Sequence, residues 1–185
     1  MLWEKMKSHW DDWGYPLRPN PDEVRVFESY KFGNTLLLGD TQELIHIADS
    51  VADERSGKNW FDTKSNVWNT IIGDGCLTCC DERLIHYMLS VLRPGGKLVL
   101  RVFLRNTHPD LSPSLQIRKF QGFKENYISV KDLYEKYGDT PTTRDYKDSD
   151  YVYYFPDLWQ LPKFSEIHYQ KYKYGQFFPI IVWTA

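Results

Sequence analysis

The stretch from Val67 to Phe103, VWNTIIGDGCLTCCDERLIHYMLSVLRPGGKLVLRVF, constrains this chain more than any other. An apolar run from Trp68 to Ile72 ends abruptly at Gly73-Asp74-Gly75. Leu84, Ile85, Met88, Val91 and Leu92 then recur at spacings of three and four, the signature of one face of a helix. Arg93-Pro94-Gly95-Gly96 stops that helix, and a second apolar run follows from Leu98 to Phe103. Strand, helix and strand in this order form a βαβ unit and imply a parallel sheet. Both strands are nearly continuously apolar, as strands covered by helices on two faces should be.

Ligands of such sheets sit in the crevice beyond the carboxyl ends of the strands. Gly73-Asp74-Gly75 falls there. Its glycines permit close backbone approach and its carboxylate can accept hydrogen bonds from hydroxyl or amine groups. The same residues also meet the needs of a plain strand-to-helix turn.

The chain of 185 residues is long enough to bury a core of its own and reads as one domain, residues 1–185. A net charge of −2 gives no electrostatic case for nucleic-acid binding. No apolar run is long enough for a membrane span, and the start MLWEKMKSHWDDWGYP has no apolar signal core, so a cytoplasmic location is expected. The three cysteines are Cys76, Cys79 and Cys80. A structural zinc site needs four ligands, and no second Cys or His pair accompanies Cys76-x-x-Cys79. Buried reduced thiols at a helix start are expected, and no metal.

Residues 1–32 read as an N-terminal arm followed by a short helix. Pro16, Pro19 and Pro21 favour an extended arm. Asp22 to Lys31 can form the helix, with Val24, Phe27 and Tyr30 or Lys31 on one side. Thr35 to Leu38 is the first strand, ended by Gly39-Asp40-Thr41. Asp40 and Glu43 fit a capping box for a helix whose Leu44, Ile47, Ala48 and Val51 share a face as far as about Arg55. A competing reading takes Ile45 to Asp49 as a second strand with Asp49 as an acidic ribose ligand. The helix is preferred, because Asp40 to Leu44 is too short for a parallel crossover. One short strand near Asn59 to Phe61 completes this region, which is therefore about one crossover shorter than a nucleotide-binding half-sheet.

Residues 104–150 read as loops and short helices covering the ligand edge of the sheet. Leu115 to Phe123 forms one such helix; a second, after Ser129, is stopped by Gly138. Asp139 to Asp150 is a solvated connector. The tail closes the sheet with an antiparallel hairpin, Phe164 to Tyr174 and Phe177 to Thr184, with Pro179 at a strand start or on a free edge.

Taken together, these motifs resemble the class I S-adenosylmethionine-dependent methyltransferases, and within them a bacterial branch. The resemblance rests on the arm Pro16-Leu17-Arg18-Pro19 followed by Val24, on Leu36 to Leu44, on Lys58-Asn59-Trp60, on Ile71 to Thr78, on Leu92 to Phe103, on Tyr153 to Leu158 and on Phe178 to Val182. It implies an α/β, Rossmann-like methyltransferase sheet, mainly parallel with a C-terminal antiparallel hairpin and shortened by about one crossover after the first strand. It implies S-adenosylmethionine as cofactor. Gly39, Asp40 and Thr41 would border its methionine end, Asn59 and Trp60 its adenine, and Gly73, Asp74, Gly75 and Cys76 its sulfonium. Arg18 would reach the cofactor carboxylate.

The chain departs from the family in two ways. The acidic residue that holds the ribose hydroxyls has no clear equivalent, Asp49, Asp53 and Asp62 being the candidates. About 20 to 30 residues are lacking between the first and fourth strands, judged against the usual βαβ size. The implied activity is methyl transfer to a small-molecule acceptor. Asp74, His108 and Tyr127 are candidates for a base, none of them assigned, while His46 and His86 read as structural. The alternative is a non-catalytic methyltransferase-like protein with a reduced cofactor site, serving in partner binding or oligomerisation. A nicotinamide-dependent oxidoreductase would need a full glycine fingerprint, which is absent. The strand edges left by the deletion leave a homodimer open.

Overall fold

The computed structural model describes residues 18–52, 58–78, 80–107, 127–139, 151–172 and 175–185. Helix α1 spans Pro21–Tyr30. Asn20 starts it with a reciprocal capping box: its side-chain oxygen accepts the Glu23 N–H at 2.9 Å, and its own N–H donates to Glu23 Oε1 at 3.1 Å. Pro21 takes the first helical position, where no intrahelical donor is needed.

Six strands form the main sheet: β1 (Thr35–Leu38), β2 (Ser50–Ala52), β3 (Trp68–Asp74), β4 (Leu92–Arg101), β7 (Glu166–His168) and β8 (Ile180–Thr184). A separate two-strand ribbon pairs β5 (Tyr127–Ser129) with β6 (Tyr151–Tyr154). The sheet order is β2-β1-β3-β4-β8-β7. β2, β1, β3 and β4 run parallel, while β8 returns antiparallel to β4 and pairs with β7. Two further helices are α2 (Arg83–Val91), the crossover between β3 and β4, and α3 (Val130–Tyr137). The mainly parallel sheet with its antiparallel closing hairpin is therefore present.

Strand period sorts the core into two halves. Leu37, Ile72, Val99 and Val182 bury one sheet face beneath Phe27 of α1, with Leu44 and Ile47 beside them. Leu38, Ile71, Leu98 and Ile181 bury the other beneath Leu84, Ile85 and Met88 of α2. Charged residues on the α1 face must therefore find partners under that helix.

Several local expectations change. The helix expected to reach Arg55 is a 3-10 turn over Gln42–Ile47, and β2 follows at Ser50–Ala52. The competing strand at Ile45 to Asp49 is also displaced. The crossover runs from Gly39 to Asp49, long enough for a parallel return without a full α-helix. Asp49 locks it by accepting the Thr35 N–H at 2.9 Å and donating its own N–H to the Thr35 carbonyl at 2.9 Å. The Asp40–Glu43 capping box is absent: Thr41 is the N-cap and makes no side-chain cap bond. Asn59 to Phe61 is not a strand but part of a 3-10 turn, Lys58–Asp62. The unit lost from the half-sheet thus lies after β2, which forms the sheet edge.

Ser129 caps α3 by accepting the Asp132 N–H at 2.9 Å, and Gly138 ends it with φ +72°. Pro179 directly precedes β8. The hairpin strands are shorter than the sequence alternation indicated, because only Glu166 to His168 pairs with β8. The arm before Arg18, Asp53, Cys79, His108, the helix expected over 115–123 and the connector at 140–150 lie outside the described residues.

Candidate functional site

The parallel register brings the two expected glycine turns to one sheet edge. Leu38 is paired with Gly73, so Gly39-Asp40-Thr41 and Asp74-Gly75-Cys76 leave adjacent strands together. The turn after β1 is open. Gly39 has φ +85°, a left-handed conformation suited to glycine, and an added Cβ would meet only the Trp60 ring, at 3.9 Å. Trp60 is buried and its indole N–H donates to the Ala52 carbonyl at 3.0 Å, fixing the ring beside Gly39. The Asn59 side chain lies outside the description.

The glycines after β3 serve packing instead. An added Cβ on Gly73 would run into the Cys76 sulfur, and one on Gly75, at φ +65°, would sit 3.2 Å from the Phe103 ring. Cys76 is buried, with its S–H 3.6 Å from the Leu38 carbonyl. Burial, reinforced by the Asp74 charge, pushes its thiol well above the ordinary range, so it is a neutral packing group. Cys76 and Cys80 are both buried, as their position at a helix start implied.

Asp74 is the chemically significant residue of this edge. It lies in register with Arg101 of β4, on the face beneath α1. The guanidinium grips it with two bonds, Nε to Oδ1 at 2.5 Å and Nη2 to Oδ2 at 3.2 Å. Nη1 donates to Glu23 Oε2 of α1 at 3.0 Å. Arg101 and Glu23 are fully buried and the Asp74 side chain is 8% exposed. Arg101 also sits 5.7 Å from the Phe103 ring centroid, within cation–π range. Burial pushes the Asp74 carboxyl above its ordinary value of 3.8, against the lowering pull of Arg101, with Glu23 and Glu43 adding repulsion. The Tyr172 phenol beside them is likewise raised, by burial first and by Glu23 second.

Glu43, from the turn after β1, completes the setting. Its Oε1 lies 3.5 Å from Arg18 Nη1, while Oε2 is buried without a hydrogen-bond partner. Arg18 therefore reaches this edge, at its outer rim. A buried carboxylate oxygen left unpaired costs free energy unless a donor or cation completes it. An open left-handed turn, an indole wall and an unpaired carboxylate oxygen fit a ligand with a polar, cationic end.

Of the three acidic candidates for the ribose, Asp49 is excluded by position, since it binds Thr35 at the amino end of β1. Asp62 lines a groove of about 510 Å³ with Leu36, Val51 and Trp68 on the flank of the sheet. Asp53 follows Ala52, the last residue of β2.

An S-adenosylmethionine-dependent methyltransferase from Thermotoga maritima, described as a possible histamine N-methyltransferase, matches with 13% identity, a TM-score of 0.50 and coverage of 87% of this chain and 86% of that one. The chain has a methyltransferase fold. A Methanosarcina mazei methyltransferase matches at 14% identity and TM-score 0.47 over 91% of this chain and 98% of its own. A Haemonchus contortus phosphoethanolamine N-methyltransferase matches at 15% identity and TM-score 0.41, over 72% of this chain and 41% of that one. No protein-family model and no curated protein sequence matches. Relative to the methyltransferase pattern, Glu23, Glu43, Arg101 and Tyr172 are the site residues that motif reading missed. One signal was available: Arg101 ends an apolar strand at the same parity as Val99, and Glu23 precedes the buried Phe27 by one helical turn.

Proposed function

We infer that the protein transfers a methyl group from S-adenosylmethionine to a small-molecule acceptor. The observation that carries this reading is the open Gly39 turn beside Trp60, next to the unpaired Glu43 Oε2 and the Asp74–Arg101 pair, at the carboxyl edge of a sheet with a methyltransferase fold. In this reading Gly39, Asp40 and Thr41 border the methionine end of the cofactor, and Trp60 with Asn59 flanks the adenine. Asp53, next in sequence after β2 and outside the described residues, is a remaining candidate for the ribose hydroxyls. Asp74 lies nearest the sulfonium, while Gly73, Gly75 and Cys76 support it from behind.

The cofactor supplies a methyl group already activated on a positive sulfur. The protein's task is then to align the acceptor and exclude water, which can supply much of the rate enhancement by itself. Arg101 fixes the Asp74 carboxylate in one orientation, so that the wall facing the methyl group is rigid. No residue is assigned as a base, because an acceptor that attacks as a neutral amine or thiolate needs none at the moment of transfer.

Calorimetric titration with S-adenosylmethionine tests the reading. A dissociation constant in the micromolar range, weakened by Trp60→Ala, supports it. No heat up to millimolar ligand overturns it and leaves a methyltransferase-like scaffold with a reduced site.

A further inference from the structure

The groove of about 510 Å³ beside β2 falls in the size range of small-molecule sites. Its wall is apolar, built from Leu36 of β1, Val51 of β2 and Trp68 of β3. Trp68 reaches this side against the alternation of its strand. The β3–β4 pairing shifts register between Trp68 and Thr70, and the indole packs on the α2-side cluster that holds Leu36. Ile72, of the same parity, buries on the α1 side. Parallel sheets are covered by crossover helices on both faces. Among the described residues, the connection from β2 to β3 holds only the 3-10 turn Lys58–Asp62, and Val51 stays 42% exposed. The groove begins at the amino ends of the strands, with Asn34 before β1 and Trp68 at the start of β3. The Gly39 turn lies at the other end. Ala52 stands between them, its carbonyl already accepting the Gly39 N–H at 2.7 Å and the Trp60 indole N–H at 3.0 Å.

The rim carries one charge of each sign. Asp62 and Lys64 both line the groove and both are exposed. Among the described residues neither joins an ion pair, with the other or with a neighbour. The backbone that bears them is anchored. The Thr63 N–H and hydroxyl both donate to the Trp60 carbonyl, at 3.3 and 2.6 Å, and the Thr63 carbonyl accepts the Tyr87 hydroxyl at 3.3 Å. We propose that this groove binds a free α-amino acid with a large apolar side chain, its carboxylate toward Lys64 and its ammonium toward Asp62. The side chain covers Leu36, Val51 and Trp68, and an aromatic one gains ring contact with the indole beyond the area it buries. The paired charges also select. An apolar anion meets Asp62, an apolar cation meets Lys64, and only a molecule with both charges satisfies the rim. The site stands independently of the methyl-transfer reading.

L-Phenylalanine is the probe, with phenylacetate and phenethylamine as its singly charged analogues. Each is titrated into the full chain and followed by NMR chemical shifts. Phenylalanine should bind with a dissociation constant of about 1 mM or below, and about threefold or more tighter than either analogue. Lys64→Gln should remove the preference over phenethylamine, and Asp62→Asn the preference over phenylacetate. Both positions are exposed, so these variants keep the fold. Saturating S-adenosylmethionine should leave the phenylalanine constant within about twofold, as for independent sites. No shifts up to about 10 mM phenylalanine overturn the proposal. So do equal constants for the three ligands, or preferences unchanged in both variants. Competition by S-adenosylmethionine assigns the groove to the cofactor and overturns it as a separate site. A protein that ignores phenylalanine but self-associates, and becomes monomeric as Val51→Asp, has a second copy in the groove, which also overturns the proposal.

Discussion

Glu23 divides its carboxylate between two structures: Oε1 accepts the Asn20 N–H at the start of α1, and Oε2 accepts Arg101 Nη1 at the end of β4. The cap of α1 and the floor of the candidate site therefore share one side chain. Removing Glu23 leaves Arg101 buried with less compensation, the expensive way to break an internal ion pair. Glu23→Ala should destabilise the protein by about 3–5 kcal/mol. Glu23→Gln, which keeps an amide oxygen for the cap, should cost less. Urea denaturation of both variants checks the order, and equal losses would contradict the shared role.

Asp74 gives stability a definite pH dependence. Its folded-state carboxyl is raised above 3.8, chiefly by burial. A raised acid contributes stability that is fully present below its unfolded value and is lost as the pH climbs through its folded value. The difference in unfolding free energy between the wild-type protein and Asp74→Asn should therefore shift against the wild type as the pH rises from the ordinary carboxyl value of 3.8 through the raised folded-state value. Denaturant titrations across that window measure it. A difference that moves in favour of the wild type would mean that Arg101 outweighs burial.

Gly73 and Gly39 look alike in sequence, but only Gly73 is closed by a neighbour. Gly73→Ala should cost about 1–3 kcal/mol, because the new methyl group meets the Cys76 sulfur in a packed interior. Cys76→Ala removes that sulfur, so the double variant should recover part of the loss, a coupling that a double-mutant cycle reads directly. Gly39→Ala has room for its methyl group but not the backbone conformation. It should lose about 1 kcal/mol from the left-handed strain and weaken the proposed S-adenosylmethionine binding as well.

The βαβ unit, the parallel sheet and the closing hairpin were legible because buried strands and an amphipathic helix leave long apolar signatures, from Trp68 to Ile72 and from Leu98 to Phe103. The region after β1 was not, because a 3-10 turn carries almost the same apolar spacing as a helix start. The bond between Asp49 and Thr35, which decides where β2 begins, joins residues that no periodicity connects. The glycine pair around Asp74 was found by motif, yet its physical reason is the Cys76 sulfur and the Phe103 ring, visible only once the chain is folded. Arg101 and Glu23 required register and helix parity to be read together. The ribbon β5–β6 was unforeseen, since Tyr151 to Tyr154 lacks polar alternation.

The attachments of α1 can be ranked by magnitude. Phe27 is fully buried against Leu37, Ile72 and Val99, and Phe27→Ala should cost about 3–5 kcal/mol. At the far end of the helix, the Tyr30 hydroxyl donates to Glu166 and lies 2.6 Å from His168 Nε2, tying α1 to the edge strand β7. Burial, and the Glu166 bond after it, push the Tyr30 phenol up to about 12. Its contribution is thus complete below the ordinary value of 10 and disappears as the pH rises through the folded value. This tie is solvent-accessible, so Tyr30→Phe should cost only about 0.5–1 kcal/mol near neutral pH. It should also remove one late-titrating tyrosine from an ultraviolet pH titration. A loss as large as that of Phe27→Ala would mean that the surface network, rather than the apolar face, holds the helix in place.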